Sequence, residues 1–386
     1  MSFKKSILVA AALAALPVLA SAQEGVTGNS VAFAQVAALE GPAAALGQGM
    51  RLGMLAAFEE ANAAGGIHGR TITLESMNDT YEPDRSVALV KSVVEANNHI
   101  GLIGLVGTPT ASATQPIATE ANIPFVGPFT GAGFLRDASH GNIFNVRATY
   151  FAEAEAWIEY LVDQKGMKNI ALLYQDDGFG RVGLAGVTAA LESRGMTLVA
   201  EGTYTRNTTA VKKALLTIKK AKPDAVVMVG AYKPVAEFIK LSRKLKFNPT
   251  FVNISFVGSD ALAKELGEAG EDVIISQVVP FPWDASVPAV AQYQQALKAA
   301  DPAAEPGFVT LEGYLTGRLA LAALDAAGTD LTRTSFLAAL AGLRTVDFGG
   351  VTMTFGPDDN QGMDSVFLTK ITKDGGFQPV VSGGGS

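Results

Sequence analysis

Four hydroxyls fall within the ten residues GTPTASATQP (107–116), which follow directly on the apolar run HIGLIGLV. Threonine and serine at the start of a helix have two uses. They cap its free N–H groups, or they join those N–H groups and the helix dipole in holding an anion such as a carboxylate. On this stretch alone Thr108, Thr110 and Ser112 fit either use, and Ala111 lies between them. Comparable groups recur after other apolar runs: Pro128, Phe129 and Thr130 after PFVG, Asp176 to Gly180 after IALLYQ, Tyr232 after VVMVGA, and Ser255 after FVNI. Ligands of open parallel sheets lie beyond the carboxyl ends of strands, so this recurrence favours a ligand cleft.

Bond-making chemistry has weaker support. Gly101, Gly104 and Gly107 lack the dinucleotide spacing and lie within a strand-like run, and no phosphate-loop or GxSxG motif occurs. His68, His99 and His140 are scattered without metal-ligand spacing, and Asp176-Asp177-Gly178 reads as a turn and not a calcium loop. No catalytic residue, metal or cofactor is therefore expected.

From Val31 onward, β-rich apolar runs of five to eight residues alternate with stretches of helical period, the pattern of βαβ units and parallel sheets. Strands are expected at SVAFAQVA, RTITLESMN, IGLIGLVG, PFVGPF, IFNVRA, NIALLYQD, TLVAEGTY, DAVVMVGA, TFVNISF, VIISQVVP, VTMTFG and SVFLTKI. Helices are expected over 49–64, 84–96, 112–121, 151–164, 208–220, 234–244 and 310–327. FGPDDNQG (355–362) reads as a polar loop. So many parallel strands exceed one compact sheet, and 386 residues exceed the usual ceiling for one core. An α/β chain of two lobes follows: 23–146 with 281–348, and 147–280 with 349–379. Three crossings, near 145–150, 279–283 and 348–351, would act as a hinge.

Composition bounds the setting. With 48% hydrophobic and 17% charged residues the chain is globular. Residues 1–22 carry Lys4 and Lys5, the run SILVAAALAALPVLA and a small-residue end at Ala20-Ser21-Ala22, which reads as a cleaved secretory signal peptide. The run is shorter than a membrane span and contains Pro17. With no cysteine there is neither a disulfide nor a thiol for a lipid anchor, so a soluble, periplasmic protein is expected. Removing Lys4 and Lys5 from the 30 basic residues leaves 28 against 37 acidic ones, which argues against nucleic acid or anionic membranes as partners. The tail VVSGGGS (380–386) reads as flexible.

Glu40-Gly41-Pro42, the turn of ANAAGGIHGRTITL, Ala113-Thr114-Gln115-Pro116, Tyr174 followed by Gly178-Phe179-Gly180, and Gly230-Ala231-Tyr232 together resemble a known family. It is that of the type I periplasmic solute-binding proteins of ABC importers, the leucine/isoleucine/valine-binding class, and the resemblance covers nearly all of the chain after the leader. It implies a non-enzymatic receptor of two hinged lobes that captures a small amino acid or carboxylate-type solute and, as a monomer, delivers it to an ABC permease. It also implies that Thr108, Thr110 and Ala111 contact the ligand carboxylate, that Pro128 and Thr130 face its polar head, and that Phe179 and Tyr232 close over it. Ser255 stands where amino-acid binders of the class carry an acid for the ligand ammonium, and Leu46 where relatives present a tyrosine. Glu312, in VTLEGY, either supplies the missing charge or is a solvated acid at a helix start. Branched-chain amino acids, other small carboxylates, and neutral amides or aromatic acids remain open as ligands. A sensory module of the same fold and, at greater distance, an exported α/β enzyme are the alternatives.

Overall fold

A computed structural model describes residues 24–380 of the chain. Residues 1–23, which include the segment read as a signal peptide, and residues 381–386 lie outside the described residues. Val380, read as part of a flexible tail, donates its N–H to the Leu368 carbonyl.

The first lobe begins with β1 (Ser30–Ala37), α1 (Ala44–Ala63), β2 (Thr71–Asn78), α2 (Pro83–Ala96), β3 (Gly101–Ile103), α3 (Thr108–Glu120), β4 (Phe125–Val126) and β5 (Ile143–Phe144). These strands form a parallel sheet in the order β2-β1-β3-β4-β5, with Phe33 opposite both Leu74 and Gly101. The last three strands are two or three residues long, although their apolar runs are longer. Glycines turn the chain out of the sheet. Gly107 and Gly127 have φ of +104° and +55°, and a β-carbon on either would stand 2.2 Å from Tyr81 or 2.3 Å from Thr316. The residues that leave the sheet early are the ones that reach the cleft.

The chain then crosses into α4 (Tyr150–Ile158), which runs on as a wider π-type segment (Glu159–Gln164), and into β6 (Ile170–Gln175), α5 (Gly178–Glu192), β7 (Ala200–Tyr204), α6 (Lys212–Ala221), β8 (Ala225–Val229), α7 (Tyr232–Lys244), β9 (Thr250–Asn253), α8 (Ser259–Leu266) and β10 (Ile274–Gln277). It returns through α9 (Pro288–Ala300), α10 (Phe308–Ala327) and α11 (Arg333–Gly342), which pack on the first lobe, and continues through β11 (Thr345–Asp347), β12 (Thr352–Thr354), β13 (Phe367–Ile371) and β14 (Phe377–Pro379). The second sheet runs β14-β13-β10-β9-β8-β6-β7, parallel from β10 to β7 and antiparallel at β13 and β14. β6 and β8 are buried along their whole length, as expected of central strands covered by helices on both faces.

VTMTF does not join the second sheet. Its strand β12 pairs antiparallel with β11 in a separate ribbon. The third passage between lobes therefore follows this ribbon instead of preceding it. There Gln361 bridges to Asn145 of the first passage, and the Asn360 side chain donates to the carbonyls of Leu135 and Ile143. Polar residues of the loop read as FGPDDNQG thus satisfy the backbone of a crossing segment, which a hinge strand outside a regular sheet requires.

Candidate functional site

The strand ends of the two sheets face each other. From the first lobe come Tyr81 after β2, Thr108 at the head of α3, and Phe129 and Thr130 after β4. From the second come Gln175 and Phe179 around the β6–α5 turn, Tyr232 at the head of α7, and Ser255 and Phe256 after β9. Phe256 packs between Phe179 and Phe129, at centroid distances of 4.6 and 5.4 Å, with Tyr81 at 6.0 Å. The Gln175 amide donates to the Tyr81 hydroxyl at 3.3 Å, and the Ala45 N–H donates to the Tyr232 hydroxyl at 3.4 Å. Leu46 reaches across to the space beside Gly258. The lobes are closed, with a void of ≈ 10 Å³ between Phe129, Arg147, Ser255 and Glu312 and a larger one of ≈ 180 Å³ between Leu46, Gly258, Asp260 and Val309. A larger open hollow of ≈ 800 Å³, lined by Trp283 and Phe377, lies at the hinge edge away from these strand ends.

The sequence-derived candidates separate on this geometry. Thr108 and Thr130 meet hydroxyl to hydroxyl at 2.7 Å, both buried. Phe179 and Tyr232 line the cleft from the opposite lobe. The Thr110 hydroxyl instead turns back to the carbonyls of Val106 and Gly107, and α3 has no side-chain cap at its N-cap residue, Gly107. Helix α3 starts four residues earlier than its hydroxyl pattern indicated, which moves Thr110 into the first turn. Ala111 packs in the first-lobe core with Leu102 and Phe125, and its N–H is taken by Gly107. The Pro128 carbonyl accepts the N–H of Thr130 in a tight turn.

Glu312 is neither a solvated acid nor a free one. It is 2% exposed, and Arg147 grips both of its oxygens, Nε to Oε1 and Nη2 to Oε2, each at 2.7 Å. Burial alone would lower the Arg147 pKa, but the Glu312 carboxylate raises it on balance, so the guanidinium stays charged. Its Nη1 donates to the Ser255 hydroxyl at 3.1 Å. Ser255 in turn donates its N–H and its hydroxyl to Glu153, each at 2.8 Å, and Ser276 donates to the same carboxylate. Burial pushes the Glu153 pKa up against these partners. Ser255 is therefore a link between two charged groups, and the Arg147 face also lies 4.2 Å over the Phe129 ring.

Arg147, Glu153 and Tyr150 were not among the sequence candidates. One signal was available. In α4 the buried residues Tyr150, Glu153, Ala154, Trp157 and Ile158 form a single helical stripe, and Glu153 is an acid on that stripe.

The rim carries further contacts between the lobes, which Asp177 of the second lobe buttresses. Arg206, beyond β7, donates to Glu82 at 2.8 Å and to Asp177 at 3.0 Å, and Asn207 donates to Glu82 at 2.7 Å and to the Thr80 carbonyl at 3.1 Å. These groups are part-exposed, so the contact is modest and salt-sensitive. Arg206→Ala should weaken capture of a solute by about two- to tenfold. Calorimetry at low and high salt checks this, and the loss should shrink as salt rises.

At the other side of the rim, Asp260 on α8 points at the start of α10. A β-carbon on Gly307 would stand 2.4 Å from its Oδ2. Burial raises its pKa to about 6. The closed form then binds the proton more tightly than an unfolded or opened chain, so closure is favoured below the ordinary carboxyl pKa. That advantage is lost as pH rises through about 6. Lys264 and Glu305 line the same hollow, and Tyr293 lies within electrostatic reach. Solute affinity should be higher at about pH 5 than at about pH 7.5, and Asp260→Asn should flatten the profile.

Comparison with known proteins agrees with this architecture. A family model described as periplasmic binding protein matches residues 30–376. The Leu/Ile/Val-binding protein homolog 7 of Brucella abortus (strain 2308) is 24% identical over 303 residues, 74% of each chain. A crystal structure of a possible leucine/isoleucine/valine-binding protein from Rhodopirellula baltica SH 1 superposes with a TM-score of 0.87 at 36% identity, covering 94% of this chain and 98% of that one. The fatty acid ABC transporter substrate-binding protein of Thermomonospora curvata shares the fold, with a TM-score of 0.84 at 22% identity and 93% of each chain covered.

Proposed function

This chain belongs to the periplasmic binding protein family, and on that premise we propose that it captures a small solute of the size and shape of a branched-chain amino acid between its lobes. It is a non-enzymatic receptor, the substrate-binding protein of an ABC transporter. Permease subunits would receive the loaded closed form, in a periplasmic compartment that the leader reading supports. The observation that carries the proposal is the meeting of two sets of strand ends, Thr108 and Thr130 on one side and Phe179, Phe256 and Tyr232 on the other. Such a cleft needs only a higher affinity for the solute in the closed state than in the open one. The similar proteins span leucine/isoleucine/valine binders and a fatty acid binder, so the common requirement is a carboxylate head with an apolar tail. Calorimetry with small-angle scattering, across amino acids, short carboxylic acids and amides, tests this. At least one solute should bind stoichiometrically and compact the protein, and a panel giving neither effect would overturn the proposal.

A further inference from the structure

We infer that the captured solute is an apolar carboxylic acid that carries no α-ammonium, its carboxylate received at Thr108, Thr130 and Tyr150. The inference rests on the receptor reading above and narrows it.

An ammonium has three donors and no acceptor, and out of water it requires a carboxylate or several free carbonyl oxygens. The carboxylates on the Tyr81, Phe179 and Ser255 side of the cleft are already engaged. Both Glu312 oxygens belong to Arg147. Glu153 lies behind Ser255 and accepts from Ser255 and Ser276. Asp177 accepts from the Phe179 N–H, from Gln175 and from Arg206. Glu82 is held by Arg206 and Asn207. The Pro128 carbonyl is occupied by Thr130, and the Thr130 carbonyl accepts from the Arg136 guanidinium at 2.9 Å. A second donor of Arg136 holds the Arg147 carbonyl, so two guanidinium groups border the floor of the cleft. Glu312 and Glu153 balance these two charges, so a buried ammonium would find no carboxylate left over for it.

Donors, in contrast, are in surplus. The Thr108–Thr130 contact consumes one of two hydroxyl protons, and Thr130 meanwhile accepts from the Ala132 N–H, which leaves one proton free. The Tyr150 hydroxyl is fully buried beside the Thr130 hydroxyl and makes no well-aligned hydrogen bond. Burial raises its pKa, so it remains a protonated donor. The thirteen-residue α3 adds a first turn without a side-chain cap. Two free hydroxyl protons at an uncapped helix start suit a carboxylate, and the rings of Phe129, Phe179, Phe256 and Tyr81 suit an apolar remainder.

The test compares each amino acid with its deaminated partner, leucine against isocaproate and phenylalanine against hydrocinnamate, by calorimetry on the full chain. In at least one pair the acid should bind at least about tenfold more tightly. Tyr150→Phe, which removes only a buried oxygen without a well-aligned partner, should fold as the parent does and weaken the acid by about tenfold or more. An amino acid that binds as tightly as its acid overturns the inference, as does failure of both acids or an unchanged affinity in Tyr150→Phe. If both acids fail while another solute compacts the protein, the receptor reading stands and this inference alone falls. If no solute compacts it, both fall.

Discussion

Arg147→Met is expected to destabilise the protein by about 3–5 kcal/mol, the largest loss from any single polar substitution near the cleft. The wild-type pair is bidentate, and both partners are almost entirely removed from water, with side-chain exposures of 1% and 3%. Their mutual attraction offsets two desolvation costs. Removing the guanidinium leaves the Glu312 carboxylate buried without a counter-charge, and it also strips a donor from the Ser255 hydroxyl. Arg147 lies on the first passage between lobes and Glu312 on α10, so the same change loosens the hinge. The double substitution Arg147→Met with Glu312→Leu should recover most of the loss, because a neutral pair of similar volume carries no desolvation penalty. Urea denaturation of the two single variants and the double variant measures the coupling. A single variant within about 1 kcal/mol of the parent would mean that the pair is not buried as described.

Gly53→Ala should cost about 3 kcal/mol or more, although it adds one carbon. Helices α1 and α10 cross with their backbones in contact. A β-carbon on Gly53 would stand 2.0 Å from the Thr310 carbonyl oxygen and 2.6 Å from the Tyr314 nitrogen, and one on Gly313 would stand 2.4 Å from the Met50 carbonyl oxygen. Nothing flexible is available to move aside, so the helices must separate. Since α10 carries Glu312 to Arg147, separation also strains the ion pair. Gly342→Ala, in the last turn of α11 with open space around its β position, should be neutral or stabilising by about 0.5 kcal/mol. Parallel thermal and urea melts of the two variants separate steric exclusion from the general effect of replacing glycine in a helix. Equal losses at both positions would contradict the crossing.

Local pattern carried much of the fold. The apolar run SVAFAQVA matches β1 residue for residue, and the continuous apolar runs of β6 and β8 read correctly as buried parallel strands. Helix starts were read too late at α1, α3 and α10, where the first turn contains Gly, Pro or Thr, residues of low helix propensity. VTMTF was misplaced because its alternation is that of any exposed strand, and only pairing with Thr345–Asp347 distinguishes a ribbon from a sheet edge.

That Thr108, Thr130, Phe179 and Tyr232 stand beyond strand ends was legible because each follows an apolar run. Arg147 and Glu312 could not be paired in advance, since 165 positions separate them. Spacing within one helix or strand says nothing about such a contact. Thr110 and Ala111 show the converse limit, because a hydroxyl-rich motif signals that a helix begins nearby without fixing its first residue or which way each side chain turns.

Closure around a solute is tested most directly by a distance across the cleft mouth. The chain contains no cysteine, so cysteines introduced at Lys91 on α2 and Leu216 on α6, both exposed, can carry spin labels without competing thiols. These helices stand on opposite sides of the Glu82–Arg206 contact. Addition of a solute that binds stoichiometrically should shorten and narrow the label-to-label distance distribution. A distribution that stays unchanged while the solute is fully bound would contradict capture by lobe closure.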